Sequence, residues 1–103
     1  MYRLHRTAVI RQGMQKEAYR VAKEISTYIN HRYAPVTLQI FLEVFGETDR
    51  LHWYTDHENL ATMERVGMEI LKDEGYRNLL HQANEVLVQG SIRDTLMQSF
   101  RLS

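Results

Sequence analysis

The chain has 103 residues, enough for one ordinary domain with a modest core. Its 13 basic and 13 acidic residues cancel, which argues against the basic footprint of a nucleic-acid binder and against a polybasic membrane patch. It has no cysteine, so disulfides and thiolate metal sites are excluded. Arginines interrupt the N-terminal apolar residues, so no signal-peptide core forms there, and no apolar run approaches the roughly 18 residues of a membrane span. The expectation is a single domain over residues 1–103, soluble and cytoplasmic, with neither nucleic acid nor membrane as a partner.

Residues 2–11 alternate. Leu4, Ala8 and Ile10 share one face with Arg6 among them, while His5, Thr7 and Val9 share the other. A period of two predicts a strand. Gln12-Gly13 then breaks the pattern.

The period changes over residues 15–33. Ala18, Val21, Ala22, Ile25, Tyr28 and Ile29 form one stripe of a helix. Pro35 prevents its continuation. Residues 36–45 form the clearest strand, with Val36, Leu38, Ile40, Leu42 and Val44 on one face. Thr37, Gln39, Phe41, Glu43 and Phe45 take the other. The four residues 46–49 are a turn, and residues 50–54 return as the third strand of an antiparallel hairpin.

Thr55 and Glu58 fit a capping box opening a second helix, along which Leu60, Met63, Gly67, Ile70 and Leu71 form a stripe. Gly67 suggests a close approach to the sheet, because glycine inside a helix otherwise costs about 1 kcal/mol. Gly75 ends that helix. Tyr76, Leu79, Leu80, Ala83 and Leu87 mark a short third helix, read as an insertion, and residues 92–102 alternate as a last strand.

The order βαββααβ is that of a ferredoxin-like α+β fold. Right-handed crossovers place the helices on one face of a four-stranded antiparallel sheet. The other face then carries Gln39, Phe41, Glu43 and Phe45 with no helix over it. A monomer rarely leaves such aromatic area in water, so a second copy packing sheet to sheet is expected.

Two segments, RLHWYTDHENLATMERV (residues 50–66) and GSIRDTLMQSF (residues 90–100), resemble the dimeric α+β barrel superfamily, and within it NIPSNAP-like proteins and antibiotic-biosynthesis-monooxygenase-like domains. The resemblance in element order spans nearly the whole chain. It implies a homodimer whose sheets enclose a barrel-like cavity. It does not imply one activity, since that superfamily holds cofactor-free oxygenases, haem-degrading enzymes, cyclases, isomerases and proteins without a known reaction.

The candidate site residues follow from the uncovered face. Glu43 lies between Phe41 and Phe45, where apolar neighbours suit a carboxylate to acid–base work; a salt bridge to Arg6, Arg50 or Arg93 is the plainer alternative. His52 and Tyr54 share a strand face and suit a general base and a hydrogen-bond donor; the opposite phase presents Leu51 and Trp53 instead. Arg6, a charge on an apolar face, needs a partner or a ligand anion, and His5 competes with it for the cavity if the strand's phase is reversed. The group His52, Tyr54, Asp56, His57 and Glu58 spans a strand end and a helix start, and its spacing is poor for a metal. The leading expectation is a small-molecule-binding protein or cofactor-independent enzyme of monooxygenase, cyclase or isomerase type. Its ligand is an aromatic or polyketide-like metabolite. His52 and Glu43 are then catalytic, Arg6, Phe41, Tyr54 and Phe45 bind ligand, and neither cofactor nor metal is needed. The rivals are a non-catalytic homodimeric interaction protein and a haem-binding protein using His5 or His52.

Overall fold

A computed structural model describes residues 1–100 of the chain. Its elements are β1 (Tyr2–Val9), α1 (Gln15–Arg32), β2 (Leu38–Leu42), β3 (Arg50–His57), α2 (Leu60–Lys72), α3 (Glu74–Val86) and β4 (Arg93–Gln98). The four strands make one antiparallel sheet in the order β2-β3-β1-β4, so the ferredoxin-like α+β architecture expected from the element order is present. The end of the expected last strand, including Leu102, lies outside the described residues.

The core sits between one sheet face and two helices. α1 buries the stripe Ala18, Val21, Ala22, Ile25 and Ile29, as its 3.6-residue period requires. α3 adds Ala83 and Val86, and the sheet contributes Ala8, Leu51 and Trp53, with Ile10 and Leu87 closing one end. Leu51 and Trp53 therefore belong to the core, and the intervening His52 and Tyr54 turn to the opposite, helix-free face.

The helix layer differs from the expected one. α3, read as an insertion, occupies the place beside α1, whereas α2 stands at the periphery with Val66 as its one buried residue. Gly67 makes no close approach, and a Cβ there would meet open space. The capping box at Thr55 and Glu58 is also corrected. β3 runs on to His57, and the cap of α2 is Asn59, whose side chain accepts a hydrogen bond from Thr62 N at 2.8 Å. Ladder pairing of Thr55, Asp56 and His57 with Leu4, Arg3 and Tyr2 outweighs the local capping preference.

Gly75 does not end α2. It lies in the first turn of α3, where a Cβ would come within 2.5 Å of the Tyr28 hydroxyl oxygen. The junction residue is Asp73, which caps α3 by accepting from Tyr76 N at 3.1 Å. Its carboxylate also accepts from the Tyr28 hydroxyl at 2.6 Å and Arg32 Nε at 2.7 Å, and from the Tyr33 hydroxyl. One nearly buried carboxylate thus ties the end of α1 to the start of α3.

Candidate functional site

β2 is shorter than the expected 36–45 strand and ends at Leu42. Glu43 and Phe45 therefore leave the sheet and belong to the loop before β3. Gly46, at φ 93°, allows this loop to turn. The Glu43 carboxylate folds back under the turn and accepts from Glu47 N at 2.8 Å. A Cβ on Gly46 would lie 2.9 Å from Glu43 Oε2, so glycine also keeps room for that carboxylate.

The folded-back carboxylate reaches His52. Glu43 Oε1 lies 2.6 Å from His52 Nε2, and the other ring nitrogen, Nδ1, lies 2.8 Å from His5 Nε2. The result is a continuous hydrogen-bonded chain from β1 across β3 to the β2–β3 loop. Strand register explains it. In the β1–β3 ladder His5 stands opposite Tyr54, and Thr7 opposite His52, so His5 and His52 are diagonal neighbours on one face. Phe41 stands opposite His52 from the other side.

Aromatic rings surround the chain. The Tyr54 ring lies parallel to His5 at 4.5 Å, and Phe41 meets Tyr54 edge-on at 5.3 Å. The Arg3 guanidinium sits 5.5 Å from the centre of the Tyr54 ring while holding Asp56 in a bidentate pair at 2.8 and 3.0 Å. The hydrogen bond from His52, and then that from Glu47 N, hold the Glu43 carboxyl below its ordinary range, so it is ionised at neutral pH. Partial burial, and then the neighbouring His52, lower the pKa of His5 and favour its neutral form.

The expected residues therefore divide. His52, Glu43, Tyr54 and Phe41 come together on the helix-free face. Phe45 lies beyond the strand end, 90 % exposed and apart from the hydrogen-bonded chain. Arg6 does not face Glu43. It points to the helix side and pairs in bidentate fashion with Asp94 of β4 at 2.7 and 2.9 Å, next to Tyr76. Its partner lies 88 residues away, so only the β1–β4 ladder reveals it. The salt bridge weighed for Glu43 is replaced by the contact with His52. His5 joins the site as the odd-numbered face of β1, and the signal for it was the alternation that put Arg6 with the apolar residues. Among the described residues the His57 ring bonds only the Thr55 hydroxyl, at 3.0 Å, and stays apart from the chain.

Among the described residues no group of three or more His, Asp or Glu is placed to hold a metal ion. Both ring nitrogens of His52 are engaged, so His52 cannot ligate haem iron without losing either His5 or Glu43. Among the described residues no helix is long and apolar enough to cross a membrane. An open groove of about 380 Å³ lies between α1 and β2, lined by Tyr19, Lys23, Thr27, Ile40 and Leu42. It is on the helix side, away from the hydrogen-bonded chain.

Known proteins fit this picture at the level of fold. No curated protein matches the chain. A protein from Agrobacterium tumefaciens superposes with a TM-score of 0.82 at 13% identity, covering 100% of this chain and 97% of that one. An uncharacterised NIPSNAP domain protein from Burkholderia xenovorans gives 0.82 at 12% identity, covering 100% and 98%. A structure described as an antibiotic biosynthesis monooxygenase gives 0.75 at 11% identity, covering 98% and 100%. The resemblance noted in residues 50–66 and 90–100 is thus matched by whole-chain structural similarity to NIPSNAP and monooxygenase-type folds. Residues 2–91 match a family of its own, so the chain belongs to the family described as "Family of unknown function (DUF6039)".

Proposed function

We propose that this single-domain protein is a cytoplasmic homodimer that binds a small aromatic or polyketide-like molecule between its helix-free sheet faces, and that it carries out cofactor-independent acid–base chemistry there. The observation that carries the reading is the Glu43–His52–His5 chain. An ionised carboxylate hydrogen-bonded through two imidazoles is a device for moving a proton, and it sits on the face with no helix over it. The aromatic surroundings, Tyr54 and the half-exposed Phe41, suit a flat apolar ligand. A single sheet face is not concave, and covering it with a second copy encloses the site. The structural neighbours include one described as a monooxygenase, which supports an enzyme of this general kind.

A second reading, a non-catalytic interaction protein, draws on the apolar loop after β2. Val44 is 78 % and Phe45 90 % exposed, and such residues suit contact with another chain. Native mass spectrometry of the purified protein separates the two. A dimer that releases a small conjugated molecule, and loses it on Phe41→Ala, supports the ligand site. A dimer that carries nothing and excludes a panel of planar phenols favours the interaction protein.

A further inference from the structure

The hydrogen-bonded chain has a direction. An ionised carboxylate only accepts, so the proton between Glu43 and His52 resides on His52 Nε2. A neutral His52 then has a bare Nδ1, which must accept. Its partner 2.8 Å away, His5 Nε2, must donate. A neutral His5 therefore has its one basic lone pair on Nδ1. Among the described residues that atom has no hydrogen-bond partner, and no buried side-chain nitrogen or oxygen there is left unpaired, so Nδ1 reaches the open face. The other nitrogens of the chain are occupied.

Resting on the small-molecule reading above, we propose that His5 is the catalytic base of this face, that His52 and Glu43 are positioning residues which hold its tautomer, and that the substrate is a flat conjugated molecule with an acidic O–H or an enolisable C–H. The step balances within the substrate and the chain. The O–H or C–H bond breaks, its electron pair stays on the substrate as phenolate or enolate, and the proton joins His5 Nδ1. The imidazolium so formed already aims its Nε2–H at His52, and His52 aims its own at Glu43, so the new charge is drawn toward the carboxylate. Return of the proton to another atom of the same molecule completes an isomerisation with no further reactant. The rings of His5, Tyr54 and His52 lie within 7° and 14° of parallel, a ridge on which a planar anion stacks. His5 has Tyr54 and His52 beside it on β3, Thr95 opposite it on β4 and Arg3, paired with Asp56, on its own strand, and the carboxylate of Asp94 favours the imidazolium that proton uptake creates.

Nitrogen-15 NMR of the imidazole rings tests the direction without a ligand. The expected result is a protonated Nε2 and a bare Nδ1 on His5 in the wild-type protein, and a mixture of tautomers in Glu43→Gln. A protonated Nδ1 in the wild type, or an unchanged tautomer in Glu43→Gln, overturns the proposal. 4-Nitrophenol, whose anion is coloured, tests the chemistry. The wild type should bind it and make it about tenfold more ionised, a shift of about one pH unit. His5→Gln should bind it without that shift, and Glu43→Gln should show a smaller one. Binding with no shift, or a shift that survives His5→Gln, overturns this proposal alone. A wild type that does not bind the phenol overturns it together with the reading on which it rests.

Discussion

His5 and Glu43 make the stability of this fold depend on pH over two separate ranges. Burial and His52 lower the pKa of His5, so the unfolded chain takes up a proton more readily than the folded one. Stability contributed by neutral His5 is present above the ordinary histidine value of about 6.5 and is lost as the pH falls below it. His57, lowered chiefly by burial, adds to the same loss. Glu43 is also lowered, through His52 and Glu47 N, but its contribution is lost only as the pH falls through the carboxylate range. Thermal melts should therefore show a first decline between about pH 7 and 5, and His5→Gln should flatten that step while leaving the more acidic one. An unchanged first step in His5→Gln would show that His5 is not held neutral by the fold. His5 was visible in the sequence only as half of an alternation. The residues 1–11 say that His5 and Arg6 face opposite ways, but the chain alone does not say that Asp94 satisfies Arg6 or that His52 meets His5.

Helix assignment turns on what each helix finds to pack against. The stripes of α1 and α3 were both legible, since apolar residues at three- and four-residue spacing belong on one face. Their ranking with α2 was not. α2 has a comparable stripe, yet Leu60, Met68 and Leu71 stay exposed, because α3 takes the sheet surface beside α1. The Asp73 carboxylate, held far below its ordinary range by Tyr28 and then Tyr33, ties the start of α3 to the end of α1. Gly75 lies against the same Tyr28 hydroxyl. Gly75→Ala should cost about 1–3 kcal/mol through overpacking, measured by chemical denaturation, and the hydroxyl should turn away from Asp73. Asp73→Asn should raise hydrogen exchange selectively in residues 72–78, because it weakens the α3 cap and three side-chain contacts together. Uniform exchange across α1, α3 and the sheet in that variant would mean that the junction does not open by itself.

The described residues leave one sheet face without a helix and a row of apolar residues exposed. Phe41 and Met97 lie on that face, and Val44 and Phe45 lie just past the end of β2. Such area favours association. Light scattering at micromolar concentration should give about twice the chain mass of 12.2 kDa. Phe41→Glu should return the protein to a monomer with its fold intact, since Phe41 is half exposed and outside the core. A wild type of single-chain mass would remove the homodimer and the enclosed site with it.

Periodicity and turn chemistry were sufficient for the order of the elements, the antiparallel hairpin and the division of α1 into core and outer faces, because these depend on spacing along the chain. On the expected 36–45 strand only Val36, Leu38 and Ile40 of the inner face pack against the core, while Leu42 and Val44 are exposed. Which faces meet depends on register and on competition for the sheet, and these are settled between residues far apart. Thr55 could have capped a helix, but pairing with Leu4 kept it in a strand. α3 displaced α2 from the layer beside α1. Glu43, His52 and His5 lie on three separate segments, and only the β2–β3–β1 ladder with its folded-back loop brings their polar atoms within hydrogen-bonding distance.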